Sequence, residues 1–543
     1  MPRIQLYDTT LRDGSQAEGI NFSLQDKIIL AQRLDELGFD FIEGGYPASN
    51  EKDAQFFQSV SEKTLSFAKI SAFGMTRRKG IAAKDDAGLR SLLEAKTPYV
   101  TIVGKSSAFQ AVEIIRSTRE ENLEMIAETV GFFIENGRKV IYDAEHFFDG
   151  WKADPDYSLL TLKTAACAGA ETVTLCDTNG GSMPDEIAAG VRAAIDAVNS
   201  SAPCQQSNNT AVGIHTHNDC GMAVANSIAA VEAGATQVQG TINGFGERCG
   251  NADLIQVAAI LALKKQGYEV LQPNSIVQLT DLSRFVYKLV NLMPSKYQPF
   301  VGKSAFAHKG GMHVSGIHRA SNAYEHIDPA FVGNNRNILV SELSGRANIE
   351  ALAHKYNFED LSQKYHFELT AALTTKLLAE IVARENLGYE YELAEASLIM
   401  LMLRSSGHFQ PHFELVKYDV HATSELSNYV ELEGKKDCNA TVKMKVNGVQ
   451  RYHVSDGNGP IDALCRAMLR ILKQYRSELE FVELTDFKVR VVNSESGTDA
   501  HVRVVIQWRD EHDDKWGTVG VSESIIEASW EAIADSFEYK LCK

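Results

Sequence analysis

His215 and His217 stand two residues apart in the run His215-Thr216-His217-Asn218-Asp219. On a β-strand that spacing places both imidazoles on one face. Two neighbouring imidazoles are costly to desolvate unless something shares their lone pairs, and a divalent cation does so. Two satisfied polar histidines at a strand end would explain the pair by itself equally well. Asp13 adds a charged oxygen and Asn251 a neutral one. Such a set, with positions left open for water or substrate, suits Mg²⁺, Mn²⁺ or Zn²⁺. Without thiolate ligands a closed structural zinc site is not expected. Arg12 directly precedes Asp13. Its ordinary fate is a surface salt bridge; beside a metal it would complete a clamp for a carbonyl oxygen that gains negative charge. Glu145 is a candidate general base, or a carboxylate that orients one, against the commoner fate of a solvated loop glutamate. Thr178, in Asp177-Thr178-Asn179-Gly180, is a candidate for binding a substrate carboxylate and equally a turn residue.

These residues must be brought together by elements far apart in the chain. The first half repeats one unit: a short β-branched run, a polar loop, then an amphipathic stretch. The strand candidates are Ile4–Tyr7, Phe39–Glu43, Phe67–Phe73, Tyr99–Val103, Lys139–Tyr142, Thr172–Cys176, Ala211–His215 and Gln237–Ile242. Alternation of strand and helix over about 250 residues is the count and size of a (β/α)8 barrel, although a doubly wound sheet gives similar alternation. The motifs favour the barrel. Polar clusters follow strands one, five, six, seven and eight, and barrel enzymes carry their sites at the carboxyl ends of their strands. The fold class expected is α/β, a TIM barrel over 1–275, followed by mostly helical accessory subdomains over 276–407 and an α+β domain over 408–543. Helical spacing returns over 346–405, and His408–Phe413 reads as a linker or short edge strand.

The 543 residues are too many for one hydrophobic core. A net charge of −17 argues against nucleic acid or an anionic membrane as the main partner. No stretch approaches the roughly 20 apolar residues of a membrane span. The N-terminus lacks an apolar secretory core, so a cytoplasmic location is expected. The eight cysteines are scattered without a Cys-x-x-Cys pair, which reads as reduced thiols. Gly244-x-Gly246-x-x-x-Gly250 has the wrong spacing for a dinucleotide loop. Val442-Lys443-Met444-Lys445-Val446 is an ordinary strand, not a biotin acceptor.

Leu11-Arg12-Asp13-Gly14-x-Gln16, His215-Thr216-His217-Asn218-Asp219 and Gly246-Glu247-Arg248-Cys249-Gly250-Asn251-Ala252, in that order, resemble the metal-dependent Claisen-condensing barrels, the family of isopropylmalate, homocitrate and citramalate synthases. Phe306-Ala307-His308-Lys309-Gly310-Gly311-Met312-His313 and Tyr324-Glu325-His326-Ile327-Asp328-Pro329 are similar to the family's accessory region. Asp456-Gly457-Asn458-Gly459-Pro460 resembles the start of its C-terminal regulatory and dimer domain. Glu43-Gly44-Gly45-Tyr46-Pro47 and Tyr142-Asp143-Ala144-Glu145-His146 are most similar to its pyruvate-using members. The run Ile102-Val103-Gly104-Lys105 lacks the histidine that isopropylmalate synthases usually carry at the end of strand four.

The resemblance implies an acyltransferase that condenses acetyl-CoA with a 2-oxo acid and then hydrolyses the thioester. It implies metal ligation by Asp13, His215, His217 and Asn251, substrate contacts from Arg12, Asp13 and Thr178, and proton transfer by Glu145 with His313 and Tyr324, the last two reaching in from a partner subunit of a homodimer. Lys303, Lys309, Arg319 and Arg336 are candidates for the CoA phosphates, against ordinary solvated charge. Pyruvate is the acceptor expected and isoleucine the effector; 2-oxoisovalerate is the nearest rival acceptor. A carbon–carbon lyase of the same fold would lack the C-terminal domain. A biotin-dependent carboxylase would need a biotin carrier and an active-site lysine in the barrel. A non-catalytic amino-acid sensor would have lost polar loop residues that are all present.

Overall fold

The computed structural model describes residues 2–61, 65–200, 210–265, 267–338, 349, 364–365, 367–424, 436–492 and 500–543. They divide into two compact units, Met1–Phe306 with Ile327–Asn335, and Ala307–His326 with Arg336–Lys543.

The first unit is the barrel. Strands β1 (Gln5–Asp8), β2 (Phe41–Gly45), β3 (Lys69–Met75), β4 (Tyr99–Lys105), β5 (Lys139–Glu145), β6 (Thr172–Asp177), β7 (Ala211–Thr216) and β8 (Gln237–Gly240) close in sequence order. β8 returns to pair in parallel with β1, from Gln5↔Gln237 to Asp8↔Gly240. Helices between them are set by local signals. Ser23 and Asp26 form a reciprocal capping box at the start of Leu24–Leu37, and Gly38, at φ 88°, ends that helix. Asp154 caps Pro155–Cys167, with proline at the first helical position.

The barrel interior is stratified. Tyr7, Phe41, Tyr99 and Ile141 form a separate buried cluster, with Phe41 edge-on to Tyr99 at 4.9 Å between centroids. Two residues further along their strands the layer turns polar: Thr9, Glu43, Thr101 and Asp143 are all buried. Strands β4 and β5 run on past the expected ends, Val103 and Tyr142, because Val103↔Asp143 and Lys105↔Glu145 stay in the ladder. Polarity made these residues look like loop. In the fold they are the inward-facing ends of strands that open on a site.

In the second unit two sheets repeat one plan. β11 (Phe413–Ser424), β12 (Lys436–Val446) and β13 (Val449–Asp456) form an antiparallel sheet followed by the helix Pro460–Leu472. β14 (Glu483–Val491), β15 (Val502–Arg509) and β16 (Lys515–Ser522) form another, followed by Ile525–Cys542. The segment read as a linker or short edge strand at His408–Phe413 leads directly into the 12-residue strand β11. His412 is tied there to Glu538, Nδ1 to Oε2 at 2.7 Å. β11, β13 and β16 escaped notice because their apolar alternation is interrupted, by a bulge between Leu415 and Lys417 in β11, by polar residues on both faces of β13, and by Gly517 and Gly520 in β16. Helices Ala371–Asn386 and Glu395–Ser406 follow the expected helical spacing of 346–405, of which 346–348, 350–363 and 366 lie outside the described residues. Two further short strands, β9 (Ala307–His308) and β10 (Asn337–Ile338), pair in parallel. No described helix is long and apolar enough to cross a membrane. Cys176, Cys220, Cys249, Cys438, Cys465 and Cys542 are free thiols. Cys167 is disulfide-bonded, contrary to the expectation of reduced thiols, since sequence spacing does not disclose which sulfurs a fold brings within bonding reach.

Candidate metal centre and active site

β1 runs into a tight turn that buries Asp13, and β7 ends with His215 inside the barrel and His217 one step beyond. Ligand atoms of Asp13, His215 and His217 all lie within 4.8 Å of one another. His215 Nε2 is 3.3 Å from Asp13 Oδ2 and 3.3 Å from His217 Nε2. Asn251 reaches them through the backbone: it forms an antiparallel bridge with His217, flanked by Asn218 N–H to Gly250 O at 2.9 Å and Ala252 N–H to Thr216 O at 3.0 Å. Gly250 makes this possible. Its φ is 90°, and a Cβ there would stand 2.0 Å from Gly244 O.

The donor set fits a divalent cation. Asn251 Nδ2 donates to Phe245 O at 3.0 Å, which leaves its Oδ1 buried without a partner among the described residues. A buried amide oxygen with no donor is costly, and a metal would use it. Burial, followed by the charge on His215, pushes His217 down to about 4, so it is a neutral ring. Burial also pulls His215 down, but the Asp13 carboxylate outweighs it and leaves this ring above the ordinary value. Burial works upward on Asp13, yet Arg12 and then His215 hold its carboxyl well below the usual range. Two oxygens and two ring nitrogens, with no thiolate, would suit an open site.

Arg12 is fixed on three sides. Its Nη2 donates to Glu43 Oε2 at 3.1 Å, its Nη1 stands 3.7 Å from Asp13 Oδ2, and its Cζ lies 3.8 Å from the centroid of the Phe73 ring. Glu43, fully buried, also accepts from Thr9 Oγ1 at 2.5 Å. Gly45 lets β2 turn away at once: its φ is 143° and a Cβ would meet the Asp53 carboxylate at 2.4 Å. Asp143 lies nearby, pushed up to about 7 by burial and then by Glu43.

A cavity of about 290 Å³ is lined by Arg12, Asp13, His215 and His217, by Asp143, Glu145 and Thr178, and by an apolar group of Tyr46, Phe73, Met75 and Val103. Glu145 is ion-paired with Lys105. Thr178 Oγ1 accepts from the His146 backbone N–H at 2.8 Å, so its own O–H proton is available for a substrate. Arg248 closes the rim, donating to Asp219 Oδ1 at 2.8 Å and to Thr178 O at 2.8 Å, which ties the loops after β6, β7 and β8 together.

The structure thus brings together Arg12, Asp13, Glu145, Thr178, His215, His217 and Asn251. His313 and Tyr324 belong to the second unit, where their rings stack at 4.2 Å between centroids. Of the cations considered for CoA, Lys309 pairs with Glu392 at 3.1 Å. Arg336 forks onto Glu325, Nε to Oε1 at 2.7 Å. Sequence reasoning gave no role to Glu43, Lys105, Asp143 or Gln239. Period two was the available signal for Asp143, two residues before Glu145 on one strand face; Gln239 carried none, being one polar residue in a short strand.

Three stretches of the chain match known families: HMGL-like over residues 3–286, the homocitrate synthase post-HMGL domain over 300–380, and the LeuA allosteric (dimerisation) domain over 392–541. An (R)-citramalate synthase of Geobacter sulfurreducens is 46% identical over 543 residues, covering 100% of this chain and 98% of that protein. The chain belongs to the citramalate synthase family. A second relative, the (R)-citramalate synthase of Synechocystis, is 45% identical over 99% of this chain and 96% of its own. A probable 2-isopropylmalate synthase of Methanopyrus kandleri is 31% identical over 98% of this chain and 97% of its own. The HMGL-like match contains every site residue from Arg12 to Asn251, and the post-HMGL match contains His313 and Tyr324.

Proposed function

We propose that the chain condenses acetyl-CoA with pyruvate and hydrolyses the thioester, releasing (R)-citramalate and CoA. The observation that carries this reading is the buried cluster of Asp13, His215 and His217 beside the unpartnered Asn251 Oδ1. These four residues would hold the divalent cation, Mg²⁺, Mn²⁺ or Zn²⁺. A cation there would polarise the keto carbonyl of a bound 2-oxo acid.

The remaining roles fall to side chains. Arg12, immobilised by Glu43 and Phe73, donates to the keto oxygen as it gains negative charge during attack, with no reorganisation cost at that moment. Thr178 directs its free hydroxyl proton to the substrate carboxylate. Glu145 removes the α-proton of the acetyl thioester. His313 and Tyr324 assist proton transfer from a second copy of the chain, in a homodimer. Tyr46, Phe73, Met75 and Val103 receive the small apolar group of the acceptor. The enzyme acts in the cytoplasm in isoleucine biosynthesis, and the domain over 408–543 binds isoleucine as feedback effector.

Thiol release from acetyl-CoA with pyruvate and with 2-oxoisovalerate tests the reading. Pyruvate should be turned over with the higher kcat/KM; a clear preference for 2-oxoisovalerate would sink it in favour of isopropylmalate synthesis.

A further inference from the structure

Gln239 is a neutral polar side chain in contact, inside the barrel, with the proposed ligand His215. It sits on β8, fully buried, one strand over from His215, with which it is in register. Its Nε2 donates to Asp143 Oδ1 at 2.8 Å and is 3.2 Å from Thr174 Oγ1. Both amide protons are therefore directed away from His215, and the amide Oε1 is what faces His215 Nδ1, at 3.0 Å.

A carbonyl oxygen can only accept, so the proton of this contact resides on Nδ1. His215 Nε2, on the other side of the ring, then faces Asp13 Oδ2 and His217 Nε2, each at 3.3 Å. We infer that Gln239 is a positioning residue that, oriented by Asp143 and Thr174, fixes the tautomer and ring angle of His215 so that Nε2 ligates the metal. This rests on the metal site proposed above and adds to it what prepares that site before a cation arrives. The imidazole of a metal-bound histidine is usually oriented by an acceptor on its far nitrogen. Here the acceptor is a neutral amide, chosen among buried carboxylates: Glu43 and Asp143 already place two acidic groups in this layer, and a third would face them uncompensated.

The test is Mn²⁺ binding to the full-length chain after chelator treatment, followed by electron paramagnetic resonance of free Mn²⁺ and by calorimetry. Gln239→Leu removes the acceptor. The double variant Asp143→Asn with Gln239→Glu exchanges amide and carboxylate, so that the residue at 239 still accepts from Nδ1 and the residue at 143 now donates. The dissociation constant should rise about 10- to 100-fold in Gln239→Leu and stay within about threefold of wild type in the exchange variant. A residue that merely filled the barrel would alter the melting temperature and leave Mn²⁺ affinity unchanged. Wild-type affinity in Gln239→Leu, or an exchange variant as weak as Gln239→Leu, overturns the inference. Should Gln239→Leu not fold, by circular dichroism, Gln239→Met carries the same expectation. A wild-type chain that binds no Mn²⁺, Mg²⁺ or Zn²⁺ removes the metal site itself, and the inference with it.

Discussion

Arg12 lies over Phe73 with its guanidinium carbon 3.8 Å from the ring centroid, while the edge of the same group holds Glu43 at 3.1 Å. A planar cation satisfies both contacts at once; an ammonium group cannot. Arg12→Lys should therefore leave the fold intact and lower kcat about 10²- to 10³-fold, the typical cost of losing a preorganised oxyanion donor. Thiol release under saturating acetyl-CoA and pyruvate measures it. A kcat within about twofold of wild type would remove Arg12 from the charge-stabilising role.

Glu43 has the opposite balance of effects. It is buried and neutralises Arg12, so Glu43→Ala strands a guanidinium in the barrel. Breaking a buried pair from one side costs about 3–5 kcal/mol, and urea denaturation should report a loss of that order.

Gly250 is expected to be intolerant. Alanine there meets Gly244 O at 2.0 Å in a left-handed backbone conformation, a strain of about 1–3 kcal/mol. Because Asn251 follows directly, Gly250→Ala should also weaken Mn²⁺ binding. Measuring stability and metal affinity in one variant separates strain that is absorbed locally from strain that displaces the ligand.

Asp8 sets a pH dependence whose sign can be worked out. Burial pushes its carboxyl from 3.8 up to about 7, against hydrogen bonds from Thr10. Between those values the folded state holds a proton that the unfolded state has released, so this group's contribution to stability falls as pH rises. Asp8→Asn, which cannot ionise, should gain stability relative to wild type as pH is raised from about 4 to about 7. Paired urea titrations at several pH values check this; a pH-independent difference would contradict the weakened acidity of Asp8.

Much of the barrel was legible because alternating strands and capped helices impose their periods on the sequence. His215 and His217 share a strand face by spacing alone, and all eight strands were found. What escaped has a common physical origin. Inward-facing polar residues such as Asp143 and Lys105 imitate loop composition, and the alternation of β11 changes phase at a bulge between Leu415 and Lys417. Glu43 and Gln239 act through partners contributed by other strands, Arg12 from β1's turn and Asp143 from β5, and no local pattern encodes a pairing made across a closed ring.

β1 pairs with β8, and that single seam places Asp13 from the chain's first turn beside ligands that follow β7 and β8. During synthesis the proposed cation site would not exist until the eighth strand had emerged and the ring had shut. With a cation bound at the proposed site, its capture and completion of the barrel would be one linked equilibrium: loosening the seam would lower metal affinity, and supplying metal would stabilise the seam. Cellular metal supply would thereby influence how much of the newly made chain survives, as well as how fast the mature enzyme turns over.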